Sequence, residues 1–254
     1  MKPVLNIAAY LFVTLEQLGD LRQAMLNACN AHNLKGTVLL AHEGINLFLA
    51  GEEQAVRSYL EWLRADARFQ PIEVKESWSD SQPFGRMLVK IKNEIIRMNH
   101  PTIAPENGRA NFIAAKKLRD WLDRGTDDFG RPVVMVDTRN AFEVEYGTFK
   151  NALHFNIQKF TEFPDAIAAH KEELENKTLV SFCTGGIRCE KSGLYMREIG
   201  LEHSYQLEGG ILKYFEEVGS AHYDGSCFVF DDREALEPTL DSIAKEQSIR
   251  NKPQ

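Results

Sequence analysis

Four cysteines, Cys29, Cys183, Cys189 and Cys227, offer nucleophilic chemistry in this 254-residue chain, and one of them stands in a loop suited to using it. The stretch Ser181–Ser192 reads S-F-C-T-G-G-I-R-C-E-K-S. The apolar run Thr178–Phe182 predicts a strand that delivers Cys183 to a tight turn. The turn is Thr184, Gly185, Gly186, Ile187 and Arg188, and a helix is expected from Arg188 onward. Glycine lets backbone N–H groups turn inward. Those amides, a helix start and a guanidinium all favour negative charge on sulfur or on a bound anion. The expected chemistry is that of a nucleophilic thiolate in an anion cradle.

Other uses of these residues are open at this stage. A buried apolar cysteine is the ordinary case, and the C-x5-C spacing of Cys183 and Cys189 also suits half a metal site or a disulfide. A zinc site needs about four ligands, usually in closer pairs, and no second close pair follows. No metal ligand set is expected: the seven histidines are scattered, and none pairs at ligand spacing. Cys189 reads equally as a resolving thiol and as packing. Cys29 falls on the apolar stripe of a predicted helix, and Cys227 lies beside Phe228, so both are expected in the core. Asp137-Thr138-Arg139 leaves the end of an apolar strand, where Asp137 forms a local ion pair and Arg139 adds positive potential to a pocket. His42-Glu43 is read as a surface turn, and Asp231-Asp232-Arg233 as a solvated one.

The elements that position these residues fall into two grammars. Strands are expected at Val4–Val13, Thr37–Ala41, Asn46–Ala50 and Pro71–Glu76. Helices follow a Thr14/Gln17 capping box and span Glu52 to about Ala65. That βαββαβ order is the ferredoxin-like plan. Arg86–Arg97 alternates as a half-exposed strand whose Arg86, Lys90, Lys92 and Arg97 make either a guarded sheet edge or an RNA contact. Asn99–Arg109, with its prolines, Asn107 and Gly108, reads as a linker. Beyond it come Ile113–Leu122 (helix), Pro132–Asp137 (strand), Ala152–Ile157 (strand), Phe160–Glu175 (helix), Thr178–Phe182 (strand), Arg188–Ile199 (helix), Ser204–Leu207 (strand) and, after Gly209-Gly210, a last helix through Val218. Such alternation predicts a doubly wound parallel sheet, with ligands beyond the strands' carboxyl ends, where Cys183 and Asp137 both stand. The expected domains are 1–98, a linker 99–108, 109–222 and a C-terminal tail 223–254.

The formal charge of −7 argues against broad nucleic-acid affinity without excluding a local basic face. No stretch approaches the roughly 20 apolar residues of a membrane span. Cysteine usage does not suggest a secreted disulfide scaffold, so a cytoplasmic protein with no membrane partner is expected.

The series V-V-M-V-D-T-R-N, G-T-F-K-N-A, H-F-N-I, F-C-T-G-G-I-R-C-E-K-S and L-E-G-G-I resembles a rhodanese-like domain. That resemblance implies a persulfide on Cys183, with the sulfur-sized loop ending at Arg188; the related phosphatases place arginine one residue later, where this chain has Cys189. Together with A-H-E-G-I-N, the basic V-K-I-K strand and the G-S-C-F-V-F-D-D-R ending, the whole chain resembles the TrhO family of tRNA uridine hydroxylases. The resemblance implies oxygen-dependent conversion of wobble uridine to 5-hydroxyuridine, Cys183 as the catalytic residue, the tRNA anticodon region as partner and molecular oxygen as co-substrate. No other cofactor is evident from the sequence. A chemical route consistent with it adds Cys183 to C6 of the pyrimidine and activates C5 toward oxygen. Longer family members carry a cysteine pair after the F-D-x-R segment; residues 234–254 contain no cysteine. The alternative is a sulfurtransferase passing persulfide sulfur between Cys183 and a protein or small-molecule acceptor.

Overall fold

The computed structural model describes residues 3–241. The chain divides into two compact units, Met1–Arg97 and Met98–Gln254.

The first unit is a five-stranded sheet built from β1 (Val4–Phe12), β2 (Lys35–Ala41), β3 (Gly44–Gly51), β4 (Val74–Ser79) and β5 (Met87–Ile91). The spatial order is β4-β1-β3-β2-β5, antiparallel throughout except for β5, which runs parallel to β2. Its helices, α1 (Leu18–Ala31) and α2 (Glu53–Arg64), lay apolar stripes on the sheet. Leu5, Ile7 and Ala9 alternate inward from β1 to meet Met25 and Cys29 of α1 and Tyr59 and Leu60 of α2. Period-2 and period-3.6 patterns thus meet on one core, as amphipathic elements require. Two local expectations change. Gln17 takes a left-handed backbone (φ 50°) and no side chain caps α1. The preceding segment is tied instead to the β2–β3 turn by Val13 N–H to Glu43 O and Leu15 N–H to His42 O, so the helix starts after it. The fourth strand begins at Val74 and not Pro71, because Phe69 and Ile72 are anchored in the core as turn residues.

The second unit holds a parallel sheet of β6 (Phe112–Ile113), β7 (Val133–Asp137), β9 (Thr178–Phe182) and β10 (Ser204–Leu207), in the order β6-β10-β9-β7. Helices α3 (Ala115–Arg124), α7 (Ile187–Glu198) and α8 (Gly210–Val218) are the longest of the elements that connect and cover these strands. Shorter pieces are α4 (Ala141–Val144), β8 (Gly147–Phe149), α5 (Phe163–Ala169), α6 (Lys171–Leu174), β11 (Tyr223–Gly225), β12 (Cys227–Phe228) and β13 (Ala235–Leu236). Ala152–Ile157 is not a strand: only Leu153 bridges to Val136, because Asn151 and Asn156 turn left-handed on either side. The helix expected over Phe160–Glu175 is broken. Pro164, which lacks an N–H and fits only a first turn, starts α5, and His170 separates it from α6.

Two boundary expectations also change. The stretch 99–108 is not a free linker but packs on α7: the His100 ring meets Tyr195 at 4.8 Å, the Thr102 hydroxyl donates to Glu198 at 2.6 Å, and Ile103 and Pro105 are buried. The segment after 222 is not a tail as far as it is described. β11 pairs with β8 and β12 with β13, and Asp231 and Arg233 close a half-buried ion pair at 2.6 Å in place of a solvated turn. The remainder of that expected tail, 242–254, lies outside the described residues.

Candidate active site

The register of the parallel sheet sets Asp137, the last residue of β7, beside Phe182, the last residue of β9. The two chain exits are then stitched together: Thr138 donates to the Phe182 carbonyl from both its N–H (3.1 Å) and its hydroxyl (3.0 Å). Cys183 follows directly. Its loop is held from outside by α8, whose first free amides point at it. Ile211 N–H donates to Cys183 O at 2.9 Å and Leu212 N–H to Thr184 O at 3.1 Å. With its carbonyls turned out to α8, the loop is free to turn amides inward, and Gly186 N–H donates to the Cys183 sulfur at 3.1 Å. Gly186 has φ 96° and caps α7, a conformation that glycine adopts readily.

Cys183 is 2% exposed and Arg188 6%. Burial alone would raise the thiol's pKa. It is outweighed by a hydrogen bond from Cys189, the positive charge of Arg188 and the backbone amides of Arg188 and Gly186, which bring it down to about 6. Its partner Cys189 goes the other way, raised by burial and by the sulfur it serves. In this pair Cys183 ionises and Cys189 donates. Burial also raises Cys29 to about 11 and Cys227 to about 12. The chain thus has one activated thiol, and the core expectation for Cys29 and Cys227 holds in the geometry.

Arg188 is oriented by Glu143 on α4, whose carboxylate meets Nη2 at 2.9 and 3.1 Å. Burial disfavours its charge, but Glu143 and the Cys183 sulfur overcome that and raise its pKa. Its other terminal nitrogen, Nη1, is buried without a hydrogen-bond partner among the described residues. Asp137 and Arg139 pair through bonds of 2.7 and 2.9 Å, with Arg139 only 1% exposed. Arg139 also donates to Gly147 O at 2.6 Å, which anchors the chain leading to β8. The pair therefore shapes the wall. Arg139 is spent on Asp137 and backbone carbonyls, and does not open onto a pocket. Thr184, Gly185 and Ile187 are half-buried at the rim.

The structure thus brings Cys183, the Thr184–Arg188 loop, Asp137, Arg139 and Cys189 together in the second unit. Arg86, Lys90, Lys92 and Arg97 belong to the first unit, on and beyond its edge strand β5, and all four are exposed. His42 is exposed and its Nδ1 bonds to Leu15 O at 2.8 Å, as befits a turn. Among the described residues no group of three or more His, Cys, Asp or Glu is placed to hold a metal ion, and no helix is long and apolar enough to cross a membrane.

Sequence reasoning missed several residues of this site. Glu143 stands three residues after Asn140, a helix-start spacing that marks it. The Gly209-Gly210 pair marks a turn before a helix but not its contact with the loop: a Cβ on Gly210 would lie 2.5 Å from Cys183 O and 2.7 Å from Gly186 N. Phe228 and Phe230 were missed because their segment read as a tail. The Thr184 hydroxyl donates to Phe228 O at 3.3 Å, and the Arg188 guanidinium lies 5.9 Å from the centre of the Phe230 ring.

Residues 4–95 match the family described as UPF0176 acylphosphatase like domain, and residues 114–217 match the Rhodanese-like domain family. A relative from Cupriavidus taiwanensis named tRNA uridine(34) hydroxylase is 60% identical over 96% of this chain and 86% of its own length. One from Bordetella avium with the same name is 60% identical over 94% of this chain and 99% of its own. One from Variovorax paradoxus, again of that name, is 58% identical over 98% and 95%.

Proposed function

The chain belongs to the tRNA uridine(34) hydroxylase family, and on that premise we propose that it hydroxylates C5 of the wobble uridine in the tRNA anticodon, with Cys183 as the nucleophile and molecular oxygen as co-substrate. The observation that carries the reading of the site is the pairing of one activated thiol with a buried guanidinium whose Nη1 has no partner. The thiolate adds to C6 of the uracil ring, and the electron pair moves to C5 and onto O4. The cationic donor Arg188 stabilises charge on such an oxygen. The C5 carbanion gives its pair to dioxygen and, with a proton, becomes a C5 hydroperoxide. A reductant of the thiol class supplies two electrons and two protons, so the outer oxygen leaves as water and C5 keeps a hydroxyl. Loss of the C5 proton and departure of the sulfur from C6 restore the double bond and the free thiolate. The sum is uridine, dioxygen, two electrons and two protons giving 5-hydroxyuridine and water.

Arg86, Lys90, Lys92 and Arg97 hold the tRNA backbone in this reading. Lys90 and Lys92 alternate onto the sheet face opposite Val89, which is buried under α1, and exposed lysines supply phosphate contacts. The experiment is nucleoside mass spectrometry of tRNA from cells that carry Cys183→Ser as the sole copy. The expected outcome is loss of 5-hydroxyuridine; normal amounts of it would sink the assignment of Cys183.

A second reading is favoured by the size of the loop: five residues, amides aimed at sulfur, and a rhodanese-like domain around them. In it Cys183 carries a persulfide and passes its outer sulfur to a protein or small-molecule thiol. Cyanolysis of the purified protein, with release of thiocyanate lost in Cys183→Ser, tests it.

A further inference from the structure

Phe142 and Phe230 are large apolar side chains left 42% and 48% exposed. They are not scattered. Phe142, Phe228 and Phe230 meet edge to face, with ring centres 5.1, 6.5 and 5.0 Å apart, and Tyr146 joins at 5.3 Å from Phe228. Elsewhere, the exposed rings Phe112 and Phe129 each lie under an arginine, Arg109 and Arg131. Among the described residues of the second unit, the Phe142–Phe230 group borders the cysteine loop, through the Phe228 carbonyl on Thr184 and the Phe230 ring against Arg188. Arg188 Nη1, in turn, is a buried donor without an acceptor among the described residues, which a ligand carbonyl would satisfy.

An occupant must offer flat π faces to the rings and a carbonyl to the guanidinium. A single-stranded run of nucleotides offers both, one base per ring, whereas in a duplex the base faces are taken up by each other. The reacting base must touch Cys183 and Arg188. A base on the outer face of Phe230 is held away from Arg188 by that ring, so the exposed rings serve its neighbours. Resting on the proposed function, we propose that Phe142 and Phe230 stack the bases flanking the target uridine, making them positioning residues for an unpaired RNA segment.

Phe142→Leu and Phe230→Leu keep apolar volume and remove the π face. The full chain would be assayed for hydroxylation of tRNA, and for binding of a seven-nucleotide single-stranded RNA centred on uridine and of the same RNA in a duplex. Each variant is expected to raise KM about tenfold, with kcat changed less than about threefold, to weaken single-strand binding alike, and to be rescued by Phe→Trp. Two results would overturn the assignment while leaving the function standing: unchanged KM and oligonucleotide binding beside a normal wild-type rate, or faster alkylation of Cys183 with no change in KM, which makes the rings a cover for the thiol. If the wild type itself hydroxylates no uridine in tRNA, the function on which the assignment rests fails first, whatever the leucine variants do.

Discussion

At the scale of single residues, the proposed chemistry turns on which of two hydrogen-bonded sulfurs gives up its proton. Arg188 and the inward amides decide in favour of Cys183, and Cys189 donates to it. The alkylation rate of Cys183 by iodoacetamide is therefore expected to be flat from pH 9 down to about 7 and to fall through about 6, where a free thiol falls through about 9. Arg188→Gln should move that midpoint upward by removing the positive charge; a midpoint left near 6 would show that the Cys189 hydrogen bond and the amides suffice without it. The same shift has a stability consequence. A thiolate favoured by the folded state contributes its full stabilisation above the unfolded value of about 9, and loses it as pH falls through about 6. Cys183 and Arg188 were legible because a glycine pair between a β-run and a helix has few other uses. Glu143 was not: the carboxylate that orients Arg188 lies 45 residues away in sequence, and only the fold makes them neighbours.

Among the elements, the start of α8 matters most, since it bonds the outer face of the cysteine loop. Gly210 has φ +69°, and an added Cβ would press on Cys183 O, Gly186 N and Thr184 O at 2.5 to 2.8 Å. Gly210→Ala is expected to destabilise the protein by about 1–3 kcal/mol from backbone strain and to raise the Cys183 midpoint by displacing the amides. Gly185→Ala, where nothing lies within 4 Å, should leave both the melting temperature and the midpoint unchanged. Calorimetry and the pH dependence of alkylation read both. A Gly185→Ala protein as damaged as Gly210→Ala would refute this division of labour between the loop's glycines. The strands β7, β9 and β10 were legible to within a residue because buried parallel strands read as unbroken apolar runs. Ala152–Ile157 misled because its alternation is real while two asparagines turn the backbone away from pairing.

On the scale of the whole molecule, a chain with a net charge of −7 needs a local basic surface to bind a polyanion, and the edge strand β5 with its flanks offers one. Lys90→Glu with Lys92→Glu is expected to weaken tRNA binding at least about tenfold near 0.1 M salt and to flatten the salt dependence by about two units. The pH profile of Cys183 alkylation should stay as it is; unaltered tRNA affinity would remove β5 from the interface. The two-part architecture was legible because the patterning changes from βαββαβ to strict strand–helix alternation. The closing segment was not, since β11, β12 and β13 are two- and three-residue strands whose pairing is set by the fold and not by local propensity. That segment has a consequence in time. Thr184 meets Phe228 across 44 residues of chain, so during synthesis the Cys183 loop emerges from the ribosome well before the strand that packs against it. Until that strand follows, the nascent loop lacks the Phe228 carbonyl that holds Thr184 in the folded chain.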